Sequence, residues 1–316
     1  MLHEMGHMLG GLLSGWKFVH LQFFHIVLTI DRRISLHKVP SHACQCIMSP
    51  RSIQSNSHIY NLGGLVINLI ITGISLYGMF AAGSQSILFT LSMCMFSSGI
   101  SLLLMNGIPR IDRICNDMAC FILTKKDKDT MLSHNMQFLI ADKLSQGKTY
   151  SEIEMVLFNT ISDIRINDIT AYNILLLYYY HMDRDELEAA SKALLRINDF
   201  SKVSKNVYHI YKMELFYLHM IMSMYEVNFF ENSLSPNRAK EEQYQEENML
   251  WGDIHTYRVK AMYQVYTMIT EADILGASAS LNDSIHKLNE IPCIYSGEKL
   301  FCQRQLRNIL NLLQQV

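Results

Sequence analysis

Two histidines four residues apart, with a glutamate after the first, open the chain: His3-Glu4-Met5-Gly6-His7. On a helix such histidines project from one face, so two imidazoles can share a zinc ion while Glu4 stands beside a zinc-activated water. This is the HExxH arrangement of zinc proteases. Two histidines are too few, because catalytic zinc takes three protein ligands and keeps a fourth position for water. Candidates for the third are Asp112 and Asp117, in NGIPRIDRICNDMACF, and the histidines at 20, 25, 37, 42 and 58. An acid at the end of an apolar span is costly unless paired or metal-bound, which favours the aspartates.

The elements that must hold these residues are apolar. From Ser52 to Pro109 there is no Asp, Glu, Lys or Arg. Residues 59–82 and 86–108, joined by the uncharged turn Gly83-Ser84-Gln85, are each long enough to cross a hydrocarbon core of about 30 Å. Residues 2–16 would make a helix of only about 22 Å at 1.5 Å per residue, with His3 in a fraying first turn. The expectation is that this helix is incomplete as written, the natural start lying upstream or the site having decayed. Residues 18–30, rich in aromatic and β-branched side chains, predict a strand or two-stranded ribbon. Close to the metal, that ribbon would suit β-augmentation by an unwound substrate. Residues 31–58 read as a polar loop with Arg32, Arg33, Lys38 and Arg51. Basic residues there and after the second span (Arg110, Arg113, Lys125, Lys126, Lys128) predict both segments on the cytoplasmic side. The metal motif then lies in the cytoplasmic half and the C-terminal part in the cytosol.

Composition divides the chain in the same place. Overall it is 49% hydrophobic and 18% charged, but residues 1–125 hold nearly all the long apolar runs. A net charge of −2 gives no reason to expect nucleic acid. Seven cysteines without a disulfide-scaffold spacing read as free thiols, in a reducing compartment or in lipid. From about residue 126 the pattern becomes amphipathic: MQFLIADKLSQG, SEIEMVLFNTIS, ITAYNILLLYYYHM, DELEAASKALLRI, VYHIYKMELFYLHMIMSMYEV, MLWGDIHTYRVKAMYQVYTMI and CQRQLRNILNLL. Successive helices with short polar turns predict stacked hairpins, a tetratricopeptide-like solenoid whose concave face would take a peptide or protein partner. Residues 231–248, with Pro236 and an acidic cluster, predict a solvated loop. The expected fold is mainly α: polytopic membrane helices with a short β-ribbon (1–125), then a cytosolic helical solenoid (126–316).

HEMGH on an apolar helix, a ribbon, a span bearing Gly64-Leu65-Val66-Ile67-Asn68, and Asn106-Gly107-Ile108-Pro109 leading into Asn116-Asp117 together resemble the site-2 protease family of intramembrane zinc metalloproteases. The resemblance covers roughly residues 1–125. It implies that His3, His7 and Asp117 bind Zn2+, that Glu4 is the general base, and that Asn68 partners the oxyanion or substrate backbone. The family commonly has Asp-Gly where this chain has Asp117-Met118, and a shorter spacing from its proline, so Asp112 stays open as third ligand. The implied activity is cleavage of a membrane-inserted protein or small peptide precursor, within a lipid bilayer, the bacterial plasma membrane. The rival expectation is a catalytically impaired, membrane-anchored helical-repeat protein that binds a peptide or protein.

Overall fold

The computed structural model describes residues 1–31, 33–38, 44–112, 115–158, 165–224 and 254–314. His42, Arg32, Arg113 and the loop 231–248 lie outside them. The N-terminal part runs α1 (Leu2–Leu13), β1 (Lys17–Phe23), β2 (Ile26–Asp31), β3 (Arg33–Lys38), β4 (Cys44–Ser49), α2 (His58–Ala81), α3 (Ile87–Gly107) and α4 (Asp117–Lys126). Helices α2 and α3 are long and apolar enough to cross a membrane, with mean hydropathies of 1.8 and 2.0 over their most apolar windows. Only 28% and 11% of those windows is buried, whereas the core helix of a soluble protein would be mostly buried. Leu69, Ile74, Phe80, Ile87 and Met105 stand exposed along them.

Close backbone approach sets how α1 lies on α2. A Cβ at Gly6 would collide with the carbonyl of Gly63, and one at Gly63 with the carbonyl of Gly6. Glycine at both positions lets the two backbones touch, as small residues do wherever apolar helices pack tightly.

The region expected as a ribbon followed by a loop is a four-stranded antiparallel sheet, ordered β3-β2-β1-β4. This corrects the reading of residues 31–58. Strand β4 has a short alternation in which Cys46 and Met48 point inward and pack with Trp16 and Tyr60. It also corrects the use imagined for residues 18–30: β1 and β2 are inner strands with both edges paired, so an added strand would have to join at β3 or β4.

Helix α5 (Lys128–Ser145) leads into α6 (Asp168–Asp183), α7 (Leu187–Leu194), α8 (Lys205–Met224), α9 (Ile254–Thr270), α10 (Ile274–Glu290) and α11 (Ser296–Leu313). Two differences from the sequence reading stand out. SEIEMVLFNTIS forms two single 3₁₀ turns, Tyr150–Glu152 and Met155–Leu157, as far as it is described. A Thr149–Glu152 capping box starts the first, but extended backbone at Ile153 ends it at once. Helix α10 was not anticipated, because its inward Ala277, Leu281, Ile285 and Leu288 are diluted by serines and asparagines.

One core runs from Ile140 through Leu313. Inside it lies an ion pair with both side chains 0% exposed: Arg258 Nη2 donates to both Glu214 carboxylate oxygens at 2.6 Å. The guanidinium covers the Tyr217 ring at 3.9 Å, and the Tyr179 hydroxyl donates to Glu214 at 3.0 Å. Glu214→Ala would leave a buried unpaired cation and should cost about 3–5 kcal/mol in denaturant unfolding, whereas Glu214→Leu with Arg258→Met should restore most of it. Burial also pulls His134 down from 6.5 to about 4. The unfolded chain then takes up a proton that the folded chain refuses, so this contribution is intact above pH 6.5 and lost as pH falls toward 4. Unfolding midpoints measured from pH 7 to pH 4 should fall less in His134→Phe than in the parent.

Candidate metal centre

Two chain segments bring three ligand atoms to one point. His3 and His7 come from successive turns of α1, and Asp117 is the first residue of α4. His3 Nε2 lies 2.9 Å from Asp117 Oδ2, His7 Nε2 lies 3.3 Å from the same oxygen, and the two nitrogens are 3.2 Å apart. In a tetrahedral zinc site with bonds of about 2.0 Å, neighbouring ligand atoms stand about 3.3 Å apart. The triangle therefore has the size of one face of such a site.

Proton accounting points the same way. His7 Nδ1 lies 2.8 Å from the Tyr60 carbonyl, which only accepts, so Nδ1 carries the hydrogen and a neutral ring turns its Nε2 lone pair toward the centre. His3 Nδ1 faces the Asn68 side-chain amide at 2.9 Å. Nitrogen and oxygen of that amide are interchangeable by a half-turn, and with Oδ1 toward the ring His3 has the same tautomer as His7. Asp117 Oδ2 is buried and accepts no well-directed hydrogen bond. Two lone pairs and a carboxylate aimed at one another repel unless a cation lies between them, and these residues could hold a metal ion.

The surroundings leave room for it. A Cβ at Gly64 would come within 2.5–2.7 Å of His3 Cε1, His7 Nε2 and His3 Nε2, so only glycine keeps the ligand face open. His3 and His7 are 9% and 6% exposed. Glu4, next to His3 and partly buried, stands within electrostatic reach of His3, His7 and Asp117. Asn68, 2% exposed, is engaged behind His3 and so orients a ligand. The Tyr60 carbonyl does the same for His7 but left no trace in the sequence, since every residue has a carbonyl.

The other candidates lie elsewhere. Asp112 is exposed and pairs with Lys205 at 2.8 Å. His20 is buried in the sheet against Tyr295, His25 lies in the β1–β2 turn, and His58 packs on Phe121. His37 is placed only by its backbone, in β3. Among the described residues, His3, His7 and Asp117 form the one group of this kind.

Compared with known proteins, the chain matches no family model, no curated protein and no solved structure. Its chemistry therefore rests on the geometry. Asp117→Ala should abolish binding of about one zinc per chain, measured by elemental analysis on detergent-purified protein, while Asp112→Ala should keep it. Gly64→Ala should also lose the metal, by filling the space between the imidazoles.

Proposed function

We propose that this protein is an intramembrane zinc endopeptidase of site-2 protease type, cleaving a membrane-inserted protein or small peptide precursor. The observation that carries the reading is that Asp117, at the start of α4, meets His3 and His7, with Glu4 beside them, on a helix packed against the first of two membrane-grade helices. In this reading α2 and α3 span a bacterial plasma membrane. The helices after α4 lie in the cytoplasm as a tetratricopeptide-like solenoid that takes a peptide or protein partner.

Bound zinc would polarise a peptide carbonyl and acidify water at neutral pH. Glu4 accepts the proton of the attacking water and returns it to the leaving amine. Tyr60 and Asn68 hold the two imidazoles in the tautomer that the task requires. A helical substrate hides its carbonyls in internal hydrogen bonds and must unwind before attack. Because β1 and β2 have no free edge, the opened segment would pair along the sheet's outer edge at β4, next to α1.

The test is cleavage of a panel of single-span peptides by protein in liposomes, read by mass spectrometry. Glu4→Gln should lower cleavage by about 10²–10⁴-fold and leave zinc content unchanged. Cleavage that survives Glu4→Gln at the parent's rate would remove Glu4 as the general base, and no cleavage by the parent would instead favour the membrane-anchored binding protein.

A further inference from the structure

Asp117 is presented by a loop that the C-terminal helices hold. Within that loop, Asn116 Nδ2 donates to the carbonyls of Met105 and Ile108, both at 2.7 Å, while its Oδ1 accepts from the amides of Arg110 and Ala119, both at 3.1 Å. Asn116 thus ties the end of α3 to the start of α4. The outer face of the loop is fixed from elsewhere. The Cys115 amide donates to Asp168 Oδ2 at 3.3 Å, and the other oxygen, Oδ1, accepts from the Ser204 amide at 2.8 Å. Next to this, the Lys205 amide donates to the Asp112 carbonyl at 2.7 Å. Asp168 opens α6, and residues 204–205 lead into α8.

This contact is a built one. Asp168 and Ser204 are 6% and 1% exposed, and Asn167, the cap of α6, is 5% exposed and donates to Thr130 of α5 at 2.9 Å. A buried carboxylate accepting two backbone amides from two separate segments has few alternative arrangements, because losing either bond leaves a buried group unsatisfied. The α3–α4 loop could have been a free linker between a membrane part and a helical part. It is instead gripped by the first residues of two helices that contribute no ligand.

We propose that Asp168 is a positioning residue for the metal centre: by bonding Cys115 and Ser204 together, it lets the C-terminal helices set where Asp117 stands relative to His3 and His7. The proposal rests on the metal-centre reading for its consequence, but not for its detection. A partner or lesion that displaces the starts of α6 and α8 loosens the third ligand. By reciprocity, filling the centre tightens those helix starts.

The experiment compares Asp168→Asn with Asp183→Asn in the full chain in detergent. Asp183 is the matched control, since it ends the same helix, is 4% exposed, and accepts from the Ser151 amide and from Arg304. An asparagine at 168 keeps one acceptor but turns an N–H donor toward the Cys115 or Ser204 amide. Two readouts are taken: hydrogen exchange over residues 115–120 and over 204–208, and zinc affinity by chelator competition. Asp168→Asn should speed exchange in both segments and weaken zinc about 10–100-fold. Asp183→Asn should do neither, while lowering the unfolding midpoint by a similar amount. Unaltered exchange in Asp168→Asn, or equal changes in both variants, would overturn the proposal. Should the parent bind no zinc, exchange alone still decides whether Asp168 holds the loop, and the failure belongs to the metalloprotease reading.

Discussion

The contact between Gly6 and Gly63 is the constraint on which the site depends. Two helices can bring backbone against backbone only where neither carries a Cβ, and at that separation the side chains one turn away have fixed opposites. His7 then meets the carbonyl of Tyr60, His3 meets Asn68, and Gly64 lies under both rings. A helix pair held apart by alanines would keep the same ligands but lose the partners that choose their tautomers. The geometry of the candidate metal centre is therefore set by what is missing at three positions as much as by the side chains present.

That dependence explains which parts of the site were legible in the sequence. His3, Glu4 and His7 announce themselves through helical spacing, and Asp117 through the oddity of an acid beyond an apolar run. The two long apolar helices were legible as well, because no charge interrupts the run from Ser52 to Pro109. Tyr60 was not, since its contribution is a main-chain carbonyl. Strand β3 was hidden by Arg33 and Lys38 and β4 by its shortness, and the pairing that makes β1 an inner strand is a contact over some 25 residues of chain, for which local pattern carries no signal. The buried Glu214–Arg258 pair was equally hidden, because a charge on an amphipathic helix reads as its solvated face until the neighbouring helix is known.

The two halves differ in how they achieve order. In the C-terminal helices a large apolar core encloses one charged pair and several tyrosine hydroxyls, so specificity comes from polar groups that have few alternative partners. Around the candidate metal centre the apolar cluster is small, only Trp16, Cys46, Met48 and Tyr60 with a few flanking side chains. Order there comes from backbone proximity and ring stacking, Trp16 lying on Tyr60 with centroids 4.8 Å apart and the Tyr60 hydroxyl donating to the Cys46 carbonyl.

Helix α5 belongs to both. Phe138 packs edge-on against Trp16 and Tyr60, while Ile140, two residues on, is fully buried in the large core. Asn135 reaches back with two hydrogen bonds, to the carbonyls of Ile53 and Ser55. A cut at the change in composition near residue 126 would thus strand an aromatic ring and a buried amide on one fragment and their partners on the other. The change in composition is therefore bridged by packing: α5 gives side chains to both apolar clusters and hydrogen bonds to the segment before α2.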